Sequence, residues 1–228
     1  MRLMTEWKAR KAASLQAKGE ITEAMKLYRE VISEGLDSPR YLLSYSVLLV
    51  RAGQYQEARE LLVKMQHSPQ LAPEQRITMF VNYAAAVYKL GDLPKAISVL
   101  ESQHDKNPCG LIYETLGYLY VEAGDLQKAI AYNEEAVDYD EEDPISLDNL
   151  GQAYYRLAND KEKAKEYFLK AIHVKPSQID TLYFLAQYDI EAGDTEKARE
   201  KLETALDGRF SPLNYTSKAR IEELLSTL

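Results

Sequence analysis

The sequence predicts an all-α solenoid of six helix–turn–helix repeats closed by a C-terminal capping helix, and three observations carry that prediction. First, one seven-residue turn recurs along the chain: Lys18-Gly19-Glu20-Ile21-Thr22-Glu23-Ala24, then Ala52 to Ala58, Leu90 to Ala96, Ala123 to Ala129 and Ala192 to Ala198, with a longer, degenerate copy at Ala158 to Ala164. Second, the alanines that close these turns (Ala24, Ala58, Ala96, Ala129, Ala164 and Ala198) stand 34, 38, 33, 35 and 34 residues apart. Third, the segments between turns carry apolar residues at helical spacing, as from Ile112 to Tyr132, which reads as a helix, a glycine-led turn and the start of a second helix folded back on the first. A fixed stride of this length marks supersecondary units that cannot bury their apolar faces alone and stack into one continuous core. A single domain over residues 1–228 is therefore expected.

In chain order the repeats cover about 5–38, 39–72, 77–109, 110–143, 144–178 and 179–212, with a capping helix over 213–227. The first helix is polar enough (Glu6, Lys8, Arg10, Lys11) to end the array. Ser38-Pro39 and Asp143-Pro144 pair an N-cap residue with proline at the first helical position. Gly19, Gly53, Gly91, Gly124 and Gly193 are expected to end helices in the left-handed conformation, and Asn159 to do the same in the fifth copy. The stride lengthens at Gln66 to Pro73, which makes that segment the expected joint, as a longer loop.

Small and large residues fall in one register inside these units: Leu147, Leu150, Gly151, Tyr154, Ala164, Phe168 and Pro176 in the fifth; Tyr113, Leu116, Gly117, Tyr120 and Ala129 in the fourth; Phe80, Tyr83, Ala84, Val87, Ala96, Leu100 and Pro108 in the third. Over nearly its whole length the chain resembles the tetratricopeptide repeat (TPR) family, departing from it at Asn133, where the family prefers an aromatic residue. The resemblance implies a right-handed superhelix whose first helices line a concave groove that binds peptides. Small residues at Gly117, Gly151, Ala129 and Ala164 suit the crossing of paired helices, where a larger side chain would overpack by about 1–3 kcal/mol. Family members that clamp acidic chaperone tails use Lys, Asn and Arg at inward positions; here Leu43, Val47, Asn82, Thr78 and Glu114 stand there, so that clamp is missing.

Composition narrows the function. The formal charge is −8, which disfavours binding to a phosphate backbone. Apolar residues make up 46% of the chain, but no run approaches the ~20 residues of a membrane span, so no membrane insertion is expected. The start of the chain has neither the apolar stretch nor the small-residue site of a leader. A lone cysteine, Cys109, allows no internal disulfide, and a reducing cytoplasm is the expected compartment; a chain whose leader had been removed would read the same way.

No catalytic constellation emerges, so an enzyme is not expected, nor a cofactor, nor a metal site. His67, His104 and His173 fall in different repeats with no second ligand at helical spacing, and read as surface residues. The glycines are turn residues rather than a phosphate loop. Asp138, Asp140, Glu141, Glu142 and Asp143 lie just before a helix start, where negative charge is favourable.

The inward positions carry the functional expectation. In repeats two and three they are Leu43, Val47, Val50, Val81, Ala85 and Tyr88, with Ala9 and Ala13 in repeat one. Tyr41 to Val50 is apolar on nearly every side, so a neighbouring helix, a second copy or a partner helix must cover it. In repeats four to six they are Glu114, Tyr118, Asp148, Asn149, Gln152, Tyr155, Tyr183 and Gln187, a wall of tyrosines, amides and acids. Some of the 17 tyrosines (Tyr45, Tyr83, Tyr113, Tyr120, Tyr154) occupy packing positions. Those on the wall either offer rigid area and a hydroxyl to a peptide or pack on the next helix. The expected function is a non-enzymatic scaffold binding a protein or peptide in the groove. The alternatives are a self-assembling protein, such as a homodimer, whose second copy fills the groove, and a peptide-responsive regulatory module.

Overall fold

A computed structural model describes residues 2–228; Met1, where the reading of the chain start begins, lies outside them. Among the described residues there are thirteen α-helices and no strand. In chain order they are α1 (Arg2–Ala17), α2 (Ile21–Ser33), α3 (Pro39–Arg51), α4 (Tyr55–Met65), α5 (Pro73–Lys89), α6 (Leu93–His104), α7 (Gly110–Ala123), α8 (Leu126–Tyr139), α9 (Pro144–Gln152), α10 (Lys161–Val174), α11 (Ile179–Glu191) and α12 (Thr195–Leu206); α1 packs on α2, α3 on α4, α7 on α8, α9 on α10 and α11 on α12 as hairpins. The last helix, α13, spans Lys218–Ser226. The chain divides into two compact units, Met1–Gln103 and His104–Leu228.

The recurring turn has a two-part cause. Gly19, Gly53, Gly91, Gly124 and Gly193 have φ between 74° and 93°, and Asn159 is left-handed at 53°. The residue after the glycine then caps the next helix. Asp125, Asp160 and Asp194 accept from the backbone N–H of Lys128, Lys163 and Lys197, satisfying a donor the helix start leaves free. Glu20 and Gln54, at the same place in repeats one and two, make no such bond. Asp143 caps α9 by accepting from Ile145 and Ser146, with Pro144 behind it. Ser38 departs from expectation: its backbone is extended and Pro39 follows, but its hydroxyl makes no capping bond.

In the first unit the segment expected to be a joint is pinned instead. Leu71 enters a core with Leu42, Leu43, Leu62, Met65 and Met79, and Arg76 donates to the Gln66 carbonyl at 3.2 Å. The division of the chain falls later, after Gln103. The longer stride is thus a folded loop between α4 and α5, and α3 packs against both helices.

In the second unit the hairpins meet at small residues. A Cβ on Gly151 would lie 2.6 and 2.7 Å from ring carbons of Phe168, which is fully buried and stacks on Phe184 with centroids 5.0 Å apart. In the fourth repeat Asn133 takes the place of that ring. It is fully buried beneath Gly117 and donates to the carbonyls of Gly117 (3.2 Å) and Ala129 (2.8 Å). In the fifth repeat Ala164 follows Gly151 by thirteen positions, where in the fourth Ala129 follows Gly117 by twelve. The extra residue is absorbed as a π-helical continuation of α9, Ala153–Ala158, closed by a bond from Asp160 N–H to the Tyr154 carbonyl at 3.0 Å.

The capping helix is shorter than expected. Residues 213–217 are not helical; α13 starts only after Ser217, whose hydroxyl accepts from Arg220 N–H. The segment before it is held by Asp180, which accepts from Asn214 Nδ2 (2.8 Å), Tyr215 N (3.0 Å) and Thr216 N (2.9 Å). Ile221 is fully buried and seats α13 on the core.

The crossing at Gly151 sets a test. Gly151→Ala drives a methyl into a ring with no room to retreat and should lower unfolding free energy by about 1–3 kcal/mol, read from the urea midpoint. Adding Phe168→Leu, which removes the clashing atoms, should make the second change cost much less than it does in the native background.

Candidate functional site

Each first helix presents its inward positions on one side because residues three and four apart return to the same face. Of the thirteen residues expected to line a binding wall, eight are buried: Leu43, Val50, Val81, Tyr118, Asp148, Asn149, Gln152 and Tyr183. Val47, Tyr88, Glu114, Tyr155 and Gln187 stay partly exposed. Most of the wall is therefore packed floor, and contact with another molecule falls to few side chains.

In the first unit the cover needed by Tyr41 to Val50 comes from the chain itself. α3 packs against α1, α2, α4 and α5, and Leu43 sits in the core with Met79. Ser46 donates to the Leu43 carbonyl and accepts from Asn82 of α5 at 3.1 Å, so α3 and α5 are tied by a polar bond beside apolar packing. Val47 and Tyr88 remain at the open edge.

The wall of the second unit is a hydrogen-bonded network. Asn149 Nδ2 donates to the Glu114 carbonyl at 2.8 Å and joins α9 to α7. Asp148 accepts from Thr181 of α11 (2.5 Å) and from Gln152 (2.7 Å). Gln152 in turn accepts from Arg156 at 3.0 Å, and Arg156 pairs with Glu122 of α7 at 2.8 Å. The Arg156 guanidinium also lies 4.1 Å from the ring centroid of Tyr215, which stacks on Phe184 at 5.1 Å. Asp148 and Asp180 are both buried, and loss of solvent raises both carboxyls above the usual range; the charge of Asp180 raises Asp148 further.

The inward tyrosines mostly pack. Tyr155 lies in the π segment, and its ring meets Phe184 at 5.0 Å, Tyr188 at 5.7 Å and Phe168 at 6.3 Å. The side chain reaching back to Gln152 is instead Arg156, four residues on. Tyr183 is covered by Tyr215 and by Arg220, whose guanidinium is 5.1 Å from its ring centroid. Gln187 bonds its own helix at the Tyr183 carbonyl. Sequence reasoning missed Arg156, Asp180 and the segment 214–216. The four-residue step from Gln152 to Arg156 was the available signal; the long-range bonds of Asp180 had none.

His104 corrects the surface reading of the histidines. It lies edge-on to Tyr113 (4.8 Å) and Tyr132 (5.3 Å), with the Tyr132 hydroxyl 3.1 Å from Nδ1. Among the described residues no group of three His, Cys, Asp or Glu is placed to hold a metal ion.

Glu114 is the exception on the wall. Its carboxyl is pushed up to about 7, first by burial and then by the charges of Asp143 and Asp140; of these neighbours only Lys175 favours the ionised form. The site keeps a carboxyl where ionising it is costly.

Helix hairpins of similar length, joined by turns at a left-handed glycine or asparagine and meeting at small residues, define a helix–turn–helix repeat protein. The tetratricopeptide repeat family profile matches residues 10–72 and 114–179, more than half of the chain, and the chain belongs to that family. Members of the family are typically non-enzymatic scaffolds that mediate protein–protein interactions. The solved structure of PilW, described as a widely conserved type IV pilus biogenesis factor, is similar to it with a TM-score of 0.68 at 14% identity, covering 97% of this chain and 98% of that one. TTC0263, a thermophilic TPR protein of Thermus thermophilus, gives 0.64 at 20% identity over 78% of this chain and 94% of its own. These likenesses concern the fold. A Sol locus transcriptional repressor of Clostridium acetobutylicum is 32% identical over 97 residues, 42% of this chain; the match spans 30% of that protein's length. Among the described residues no helix is long and apolar enough to cross a membrane.

The raised Glu114 carboxyl gives a pH prediction. A carboxyl whose folded value lies above its unfolded one contributes stability below about pH 4.5, and that contribution is lost as pH rises through about 7. Glu114→Gln should therefore be more stable than the native chain at pH 8, by about 2 kcal/mol after allowing for solvent screening, with the gap shrinking toward pH 4.5. Thermal melts at the two pH values measure it; a gap independent of pH would show that burial does not tune this group.

Proposed function

We propose that the chain is a non-enzymatic scaffold that holds a protein or peptide partner on its first-helix faces. Contact rests on the partly exposed residues, Glu114, Gln187 and Arg156 in the second unit and Val47 and Tyr88 in the first. The observation that carries the reading is Glu114. Around it Asn149, Asp148, Gln152 and Arg156 are bonded to one another or to neighbouring helices, while Glu114 keeps a desolvated carboxyl whose ionised form only Lys175 supports. Perturbed groups of this kind collect at sites of function. A donor from a partner, a backbone N–H or a cationic side chain, would relieve that cost. The buried remainder of the wall supplies rigidity, so few residues should carry most of the binding energy.

Photo-crosslinking tests this. In the second unit a photoreactive residue at Glu114 or Gln187 should give adducts with a partner in native lysate, and the exposed second-helix positions Glu134 and Glu203 should not; Val47 and Tyr88 against Glu60 make the same test of the first unit by itself. With the partner in hand, Glu114→Gln or Tyr88→Ala should weaken binding by about tenfold or more if either is a hot spot. Adducts formed only from the second-helix positions would place the partner on the other side and end the proposal.

A further inference from the structure

The solvent face of α1 is unlike the rest of the surface. Leu3, Met4 and Trp7 are 87%, 60% and 58% exposed, the three most exposed large apolar side chains among the described residues. They occupy the first turns of the helix, and Arg10, Lys11 and Lys18, all exposed, follow them on the same side. Lys11 Nζ lies 5.6 Å from the centroid of the Trp7 ring. The helix's other described cation, Lys8, is turned away and engaged by Glu30 and Glu34 of α2 at 2.6 and 2.5 Å. Its one acid, Glu6, projects about a quarter turn from the centre of the free face. In a chain of net charge −8, this is an apolar and purely cationic surface.

We infer that this face docks on an anionic lipid bilayer, with Leu3, Met4 and Trp7 entering the boundary between headgroups and acyl chains, Arg10 and Lys11 lying among the phosphates, and Lys18, further along, adding longer-range attraction. The two kinds of residue are segregated along the helix rather than interleaved. At about 1.5 Å per residue, the centre of the apolar group lies about 8 Å from Arg10 and Lys11. That separation matches the depth, about 5–10 Å, to which interfacial helices sink, so a tilted helix puts each group in its own layer. A protein helix lying alongside α1 would offer no such gradient. Tryptophan suits the boundary because its ring is apolar with one polar edge. Neither half suffices: three apolar side chains bind weakly, and three cations alone are screened by salt. The acidic remainder of the chain is repelled by the same bilayer, which leaves α1 as the point of attachment.

Trp7 is the only tryptophan, so its fluorescence reports on the contact directly. With the full chain, mixed phosphatidylcholine–phosphatidylserine vesicles should shift its emission to the blue and protect it from acrylamide, and high salt should reverse both effects. Vesicles of phosphatidylcholine alone should do neither. Arg10→Gln with Lys11→Gln should weaken partitioning by about thirtyfold, the loss of two cations at the surface. Leu3→Ser with Met4→Ser should weaken it while leaving the reporter in place. All four substitutions are on solvent-facing side chains, and unchanged circular dichroism confirms the fold. Three results would each overturn the inference: emission indifferent to anionic vesicles, a response to an acidic helical peptide in place of vesicles (a protein partner), or a concentration-dependent shift without lipid (a second copy).

Discussion

The close approach of paired helices at small side chains is the constraint on which the structure depends. Ala24, Ala58, Ala96, Ala129, Ala164 and Ala198 are all fully buried, one to each repeat. Helices separated by larger residues could not interlock so closely, and interiors packed to crystal density tolerate little change of volume. The constraint also explains the large residues that face the small ones. Phe168 fills the space over Gly151, and in the fourth repeat a buried asparagine does so, at the cost of needing two carbonyl partners. The recurring turn serves the same end: a left-handed glycine or asparagine stops one helix, and in the later repeats an aspartate caps the next.

With the crossings satisfied, the first helices of the second unit are left to bond laterally. Asn149 reaches the α7 backbone, Asp148 reaches Thr181 and Arg156 reaches Glu122, so side chains that could meet a ligand are spent on stiffening the wall. Burying Asp148 and Asp180 near each other is tolerable because each carboxyl is given donors. The C-terminal segment belongs to this arrangement. Tyr215 lies on Phe184 beneath Arg156, and the end of the array is sealed by an irregular strap before α13 begins.

What was legible in the sequence had local causes. Gly19 or Asn159 is required where the chain turns left-handed, whatever surrounds it. The hairpins and their stride follow from spacing alone. The candidate site was less legible, because lying on the inward side of a helix does not say how much of a residue solvent reaches. Tyr118 and Gln152 lie on first helices, but both are buried. Tyr155 was assigned from a regular helical step, and the π segment directs it into the packing between α10 and α11.

The amino-acid sequence by itself determined the all-α repeat architecture, its turns and its membership of the tetratricopeptide repeat family, since each of these repeats a short pattern whose physical cause lies within a few residues. Only the tertiary structure decided where the inserted residue of the fifth repeat goes, that Asp180 holds a strap 34–36 residues away, and that the wall keeps only a few side chains open. Those outcomes depend on which helices meet and on whether each buried polar group finds its partner. No local pattern encodes a bond between residues so far apart in the chain.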